Sequence, residues 1–410
     1  MKLLDRLREL TSDDQEIYAL LGSDFDGSRS SNSASGTEIF RSRDDEEPFY
    51  LELGYKGNRI TSIKTGQKFS KAKQDALVDR ASRALRDDVG TLVFSRYLFA
   101  NLPLKSEFWF GSYLRLRPPP SDTVIGSDLD EREIMFRSTG IKRDSHLGPP
   151  FPFLMEVNIK KSSSHSLQSL WMSRTLDRMQ NALTLLLVGD VRYAHLPSGP
   201  LWTLLFRNSQ IENHLLQTGF GDLHGAQHED FPHSKNPSSS LYEATDYYDR
   251  FWMEHDELPV PASLPKHLDM ISSLDGEQAL NFHRACLWFS QGVQYRQIET
   301  IGVPSFAAAI ECLLGRSERS RPNCGQPADD GITRAFKRFI DRYGKLTPET
   351  APLAERLYPA RSELVHGSFA HASDTGWFSF KRDDDWQNMF AWIIARRCLI
   401  GWLEDEGRDS

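Results

Sequence analysis

A proline-rich stretch, LPVPASLPKH at residues 258–267, divides this chain of 410 residues into two regions of different periodicity. Beyond it no segment alternates apolar and polar residues with the period of two that a half-buried strand requires. Apolar residues recur instead at helical spacing in five stretches, 277–296, 305–315, 331–344, 350–369 and 384–406. Gly315 and Gly344 follow the second and third, as helix C-termini favour. The fourth is expected to break or kink at Pro359, because proline removes a helical N–H and crowds the preceding turn. In the fifth, Trp386, Met389, Phe390, Ile393, Ile394, Leu399 and Trp402 form the apolar face, behind leading acids that suit a helix N-terminus. Helices joined by short loops bury such faces against one another, so residues 265–405 are expected to form an all-α bundle. The tryptophan stripe (Trp386, Trp392, Trp402) reads as core or as an interface between copies, not as a base-stacking surface.

The preceding region mixes both periods. Residues 1–22 predict one short amphipathic helix, and the small, polar and charged residues 22–46 predict a long surface loop. PFYLELGYKGNRITSIKTG alternates about a Lys56-Gly57-Asn58 turn and predicts a β-hairpin. Residues 71–85 predict a helix, while TLVFSRYLF, SEFWFGSYLRLR and PFLMEVNIK predict strands rich in β-branched and aromatic residues. The prolines at 118–120 and in GPPFP at 148–152 mark connections. A long helix is expected over 166–187, stopped by Gly189-Asp190, then a strand at 191–196 and a surface excursion at 218–240. The fold class expected is therefore α+β: an N-terminal α+β domain over 1–160, a middle region over 161–260 and the helical bundle over 265–405. No phosphate-loop or dinucleotide glycine spacing is present.

Bulk chemistry narrows the function classes. With 39% hydrophobic residues the chain can bury a core, and a net charge of −8 excludes a protein that coats nucleic acid through overall basicity. Contact with RNA would have to be local. No apolar run approaches the roughly 20 residues needed to cross a bilayer, and charges interrupt the first 22 residues too often for a signal peptide. Cys286, Cys312, Cys324 and Cys398 form no CxxC pair, so the expected compartment is a reducing cytoplasm. His224, His228 and His233, with Asp222 and Asp230, invite a metal reading, but Gly221, Gly225 and Pro232 disfavour the helix that HxxxH needs. No metal or other cofactor is expected.

The sharpest chemical signal is Arg361-Ser-Glu-Leu-Val-His366-Gly367. A histidine titrates near pH 6.5 and can take or give a proton, whereas an arginine stays cationic and offers a planar fork to a phosphate. Together they suit transesterification of an RNA phosphodiester. His366 would deprotonate the 2′-hydroxyl or protonate the leaving 5′-oxygen, and Arg361 would stabilise the charge on the pentavalent phosphorus. Five steps along one ideal helix turn two side chains about 140° apart, so the site requires a folded-round arginine, a bent helix or a second copy of the domain. The bland alternatives are a histidine at a helix end beside a stop glycine, and an arginine paired on the surface with Glu363 or Glu355. Upstream, Glu311 interrupts the apolar helix AAAIECLLG, either to orient Arg361 or to pair with any nearby base. Arg334, Lys337 and Arg338 belong to a basic cluster that reads either as an RNA-facing stripe or as a solvated face.

The arginine-x4-histidine spacing, the acidic AAAIECLLG helix and the leucine-rich NALTLLLVGDVRY at 181–193 together resemble the ApeA-like HEPN family. The resemblance covers the C-terminal third well, the middle weakly and the first 160 residues not at all. It implies metal-independent cleavage of RNA, with tRNA among the candidate substrates, to a 2′,3′-cyclic phosphate and a 5′-hydroxyl. It implies a homodimer pairing two Arg361/His366 sets across the fourth helices, and a defence role against phage; the unrecognised N-terminal half would then sense a trigger or hold the active form in check. Two residues depart from the family pattern: Ser362 is short where a larger polar residue is usual, and Pro359 stands where the helix normally runs on. The competing reading is a non-catalytic HEPN scaffold that binds nucleotide, RNA or a protein partner.

Overall fold

The computed structural model describes residues 2–26, 37–42, 50–57, 59–66, 69–86, 90–118, 134–136, 151–189, 191, 201–207, 210–216, 242, 247–249, 256–295, 299–314, 332–348, 350–365 and 383–407. Strands and helices share the N-terminal part, and among the described residues helices alone follow from Leu264, an α+β layout. The chain divides into two compact units. Met1–Phe94 joins with Asn158–Leu176 in the first, and the second holds Ser95–Val157 and the described residues from Asp177 onward.

The first unit contains α1 (Leu3–Arg8), α2 (Asp14–Asp24), β1 (Phe25–Asp26), β2 (Thr37–Ser42), β3 (Tyr50–Lys56), β4 (Arg59–Thr65) and α3 (Lys71–Arg86). The expected single N-terminal helix is two. The Asp13 carboxylate accepts hydrogen bonds from the backbone N–H groups of Gln15 and Glu16 at 2.8 and 3.4 Å, starting a new helix as an N-cap. The four strands form an antiparallel sheet in the order β1-β2-β3-β4. The expected β3–β4 hairpin turns at Gly57, whose φ of 61° suits glycine. The expected loop over 22–46 is corrected: β1 and β2 lie within it, and Phe40 is buried with Leu51, Leu53 and Ile60. Its polar composition concealed one strand whose apolar face acquires meaning only when paired. α3 lays Leu77, Ala81 and Ala84 on the same core, one stripe at helical spacing.

In the second unit, β5 (Thr91–Ala100), β6 (Phe108–Phe110), β7 (Leu114–Arg117) and β9 (Phe151–Lys160) form a sheet in the order β5-β9-β7-β6. The unit boundary falls inside β5, β9 and the long helix α4 (His165–Leu186). Phe108, Phe110, Leu114, Leu116, Met155 and Val157 are buried from one face. From the other, Arg115 reaches Glu107 and Glu156 at 3.0 and 3.4 Å and lies over the Trp109 ring at 4.6 Å. Pro152 is the second residue of β9, ahead of the residues paired with β7. A further sheet joins β8 (Ile134–Phe136) to a hairpin of β10 (Leu201–Arg207) and β11 (Gln210–Leu216), which the sequence reading missed. Most of the expected strand at 191–196 and the whole excursion at 218–240 lie outside the described residues.

The helical part comprises α5 (Leu264–Ser273), α6 (Gly276–Gln294), α7 (Glu299–Leu313), α8 (Ile332–Tyr343), α9 (Ala351–Val365) and α10 (Asp383–Glu406). α5 was unforeseen because its prolines suggested a connection. Pro265 sits in the first turn, where a missing N–H costs nothing. α7 also begins before the expected residue and runs through Pro304. Val303, Phe306 and Ala307 are buried around that proline, and tertiary packing outweighs its local penalty. α9 likewise continues through Pro359 as one helix. α10 contributes Trp392, Ile394, Cys398, Leu399 and Trp402 to the core, and Trp402 stacks on Phe282 with centroids 5.6 Å apart. Both tryptophans are therefore core residues. α6 and α7 approach so closely that a Cβ on Gly292 would lie 2.5 Å from the Phe306 ring. His267 of α5 is buried, with Nδ1 3.0 Å from the Tyr248 hydroxyl and Nε2 3.2 Å from Glu404 of α10.

His283 on α6 supplies a pH prediction. Burial, then the charge of Arg178, push its imidazole down to about 4, and its buried Nδ1 has no hydrogen-bond partner among the described residues. The unfolded chain takes up this proton near pH 6.5, while the folded chain resists until about pH 4. The stabilisation is thus complete above pH 6.5 and is lost as pH falls towards 4, on the order of 3 kcal/mol in all. Urea unfolding between pH 7 and 4.5 should show this slope in the wild type and lack it in His283→Leu. Equal slopes would contradict the assignment.

Candidate functional site

Arg361 owes its position to the pattern of α9. Thr347 and Thr350 exchange side-chain to backbone hydrogen bonds ahead of the helix, at 2.8 and 3.3 Å, and so fix where it starts. Ala354 and Leu357 are buried, and Tyr358 and Arg361 continue the same side at i+4 and i+7 from Ala354, half-buried. The arginine thus occupies a position that the helix otherwise gives to core residues. Beyond it, Leu364 is half-buried and Val365 is 54% exposed.

The guanidinium meets Glu311 of α7. Arg361 Nη2 donates to Glu311 Oε2 at 3.2 Å, across 50 residues of sequence. The two side chains keep 25% and 17% of their exposure, which is low for an ion pair. The contact is single. Arg361 Nε and Glu311 Oε1 are buried and have no hydrogen-bond partner among the described residues. Such orphaned atoms are costly to leave without a partner. Arg361 Nη1 makes no hydrogen bond among the described residues, so that nitrogen is not engaged by Glu311. The guanidinium also lies over the Tyr358 ring, 5.8 Å from its centroid.

Of the two surface partners in the bland alternative for Arg361, Glu355 pairs instead with Lys337 of α8 at 2.5 Å. That hydrogen bond raises Lys337 and lowers Glu355 from their ordinary ranges. Arg334 and Arg338 are exposed on α8 beside Lys337. Ser362 is half-buried and makes no side-chain hydrogen bond among the described residues. His366 and Gly367 lie outside the described residues, as do Gly315 and the His224, His228 and His233 group. Among the described residues no group of three or more histidine, cysteine or acidic side chains is arranged to hold a metal ion. No helix there is long and apolar enough to cross a membrane. Cys286 and Cys398 are buried free thiols, and Cys312 is half-buried.

One residue escaped the sequence reading: Tyr358, three residues before Arg361, was legible from helical spacing alone. Of the two partners open to Glu311 from sequence, Arg361 or any nearby base, the structure has Arg361; nothing in either segment specifies that α7 packs on α9. The site so defined is a half-buried arginine–glutamate pair in a helical bundle, with one guanidinium nitrogen not engaged by the carboxylate. No protein-family model, no curated protein and no solved structure matches the chain.

Proposed function

We infer that the helical part is a ribonuclease domain of the ApeA-like HEPN type, with Arg361 and His366 as its catalytic groups. The observation that carries this reading is the Glu311–Arg361 pair. Two residues that support the family resemblance from separate segments meet, and the arginine keeps a nitrogen, not engaged by the carboxylate, for a phosphate. In this reading His366 moves the proton between the 2′-hydroxyl, the scissile group and the leaving 5′-oxygen. Arg361 stabilises the phosphorane, and Glu311 holds the guanidinium in place. The products are a 2′,3′-cyclic phosphate and a 5′-hydroxyl, formed without a metal. The biological setting that fits is a cytoplasmic antiphage effector acting on RNA such as tRNA and held in check by its N-terminal part.

Expression of wild type, Arg361→Ala and His366→Ala during phage infection tests the reading. Growth arrest with RNA fragmentation is expected from the wild type alone. Indistinguishable behaviour of all three would favour a non-catalytic scaffold. The same reading takes the active form to be a homodimer in which each site uses both copies. Light scattering after size exclusion at micromolar concentration should then give twice the chain mass, and a monomer throughout would rule out a shared site.

A further inference from the structure

We propose that Tyr358 is a positioning residue for Arg361, its ring forming the platform that holds the guanidinium plane; this rests on the reading of Arg361 as a phosphate-binding group. A long arginine side chain has several rotatable bonds, and a single hydrogen bond to Glu311 leaves the fork free to pivot about Nη2. A second, non-collinear restraint is needed to fix the plane. Tyr358 supplies it from the preceding turn of α9, with the guanidinium carbon 5.8 Å from the ring centroid. The ring is itself anchored, because Phe336 of α8 packs on it with centroids 5.1 Å apart and planes inclined at 53°. Phe336 is only 1% exposed, so that anchor is part of the core. The guanidinium is thus held by a carboxylate from α7 and by an aromatic face backed by α8. An isolated cation placed over an aromatic ring gains from its quadrupole, and more so when partly desolvated. The tyrosine hydroxyl plays no part in this account, so phenylalanine should replace it and leucine should not.

The test titrates adenosine 3′,5′-bisphosphate into the full-length chain by calorimetry, which requires neither a trigger nor turnover. Wild type should bind, Arg361→Ala should lose at least tenfold in affinity, and Tyr358→Phe should stay within twofold. Tyr358→Leu should weaken binding about threefold to fivefold, the size of one partly exposed cation–π contact. Phe339→Leu, which loosens α8 away from this ring, should lower the unfolding temperature while leaving affinity within twofold. If wild type does not bind, or Arg361→Ala binds equally well, the phosphate-site reading itself fails. If Arg361→Ala loses binding but Tyr358→Leu does not, the site stands and the role of Tyr358 is overturned. Equal weakening in Phe339→Leu and Tyr358→Leu would also overturn it, since general loosening would then suffice.

Discussion

Arg361→Ala should slow RNA cleavage by about 10²- to 10³-fold while leaving the fold intact. That is the usual cost of deleting one preorganised donor aimed at developing charge. The chain should still fold, but at lower stability, because truncation leaves the Glu311 carboxylate, 17% exposed, without its cation. The more informative variant is Arg361→Lys. A guanidinium can give one nitrogen to Glu311 and keep another for the phosphate. A single ammonium must choose, and the carboxylate is always present. The lysine variant should therefore lose at least tenfold despite retaining the charge. Full activity in Arg361→Lys would mean that only net charge matters there and that the fork geometry is incidental.

His366→Ala should cost about 10²- to 10⁴-fold, the range for removing a general acid–base. The reaction needs a proton taken from the 2′-oxygen and another supplied to the 5′-oxygen, and no arginine can do either near neutrality. Five steps along an ideal helix would turn two side chains about 140° apart, so one subunit alone does not readily aim both groups at one phosphate. A site completed by the second copy resolves this. It predicts that co-expressing Arg361→Ala with His366→Ala restores part of the cleavage, since mixed dimers rebuild one intact site. Sites contained within one subunit would give no recovery. Cleavage products separated on gels, from each variant alone and from the pair, measure both effects.

Elements with strong local patterns were legible from sequence. The long helix expected over 166–187 is His165–Leu186, and the last one expected over 384–406 is Asp383–Glu406. The β3–β4 hairpin was legible because Leu51 and Leu53 alternate ahead of a glycine turn. What failed did so for particular reasons. β2 was hidden in a polar stretch whose Phe40 has meaning only beside Leu51 across the sheet. Pro304 reads locally as a helix stop, and only the apolar neighbours it carries into the bundle explain why α7 ignores it. At the site, Arg361 was singled out by its spacing from His366 and Glu311 by its isolation in an apolar helix. Their meeting is a tertiary fact. Lys337, in a cluster that reads either as an RNA-facing stripe or as a solvated face, has a carboxylate partner in Glu355.

The most direct measurement is the chemistry of the cut ends. RNA recovered from phage-infected cells expressing the wild-type chain should carry new 2′,3′-cyclic phosphate and 5′-hydroxyl termini. Those termini should be absent when either Arg361 or His366 is alanine. Fragments bearing 5′-phosphate and 3′-hydroxyl ends, or RNA equally intact with all three chains, would contradict an arginine and a histidine acting together on one phosphodiester.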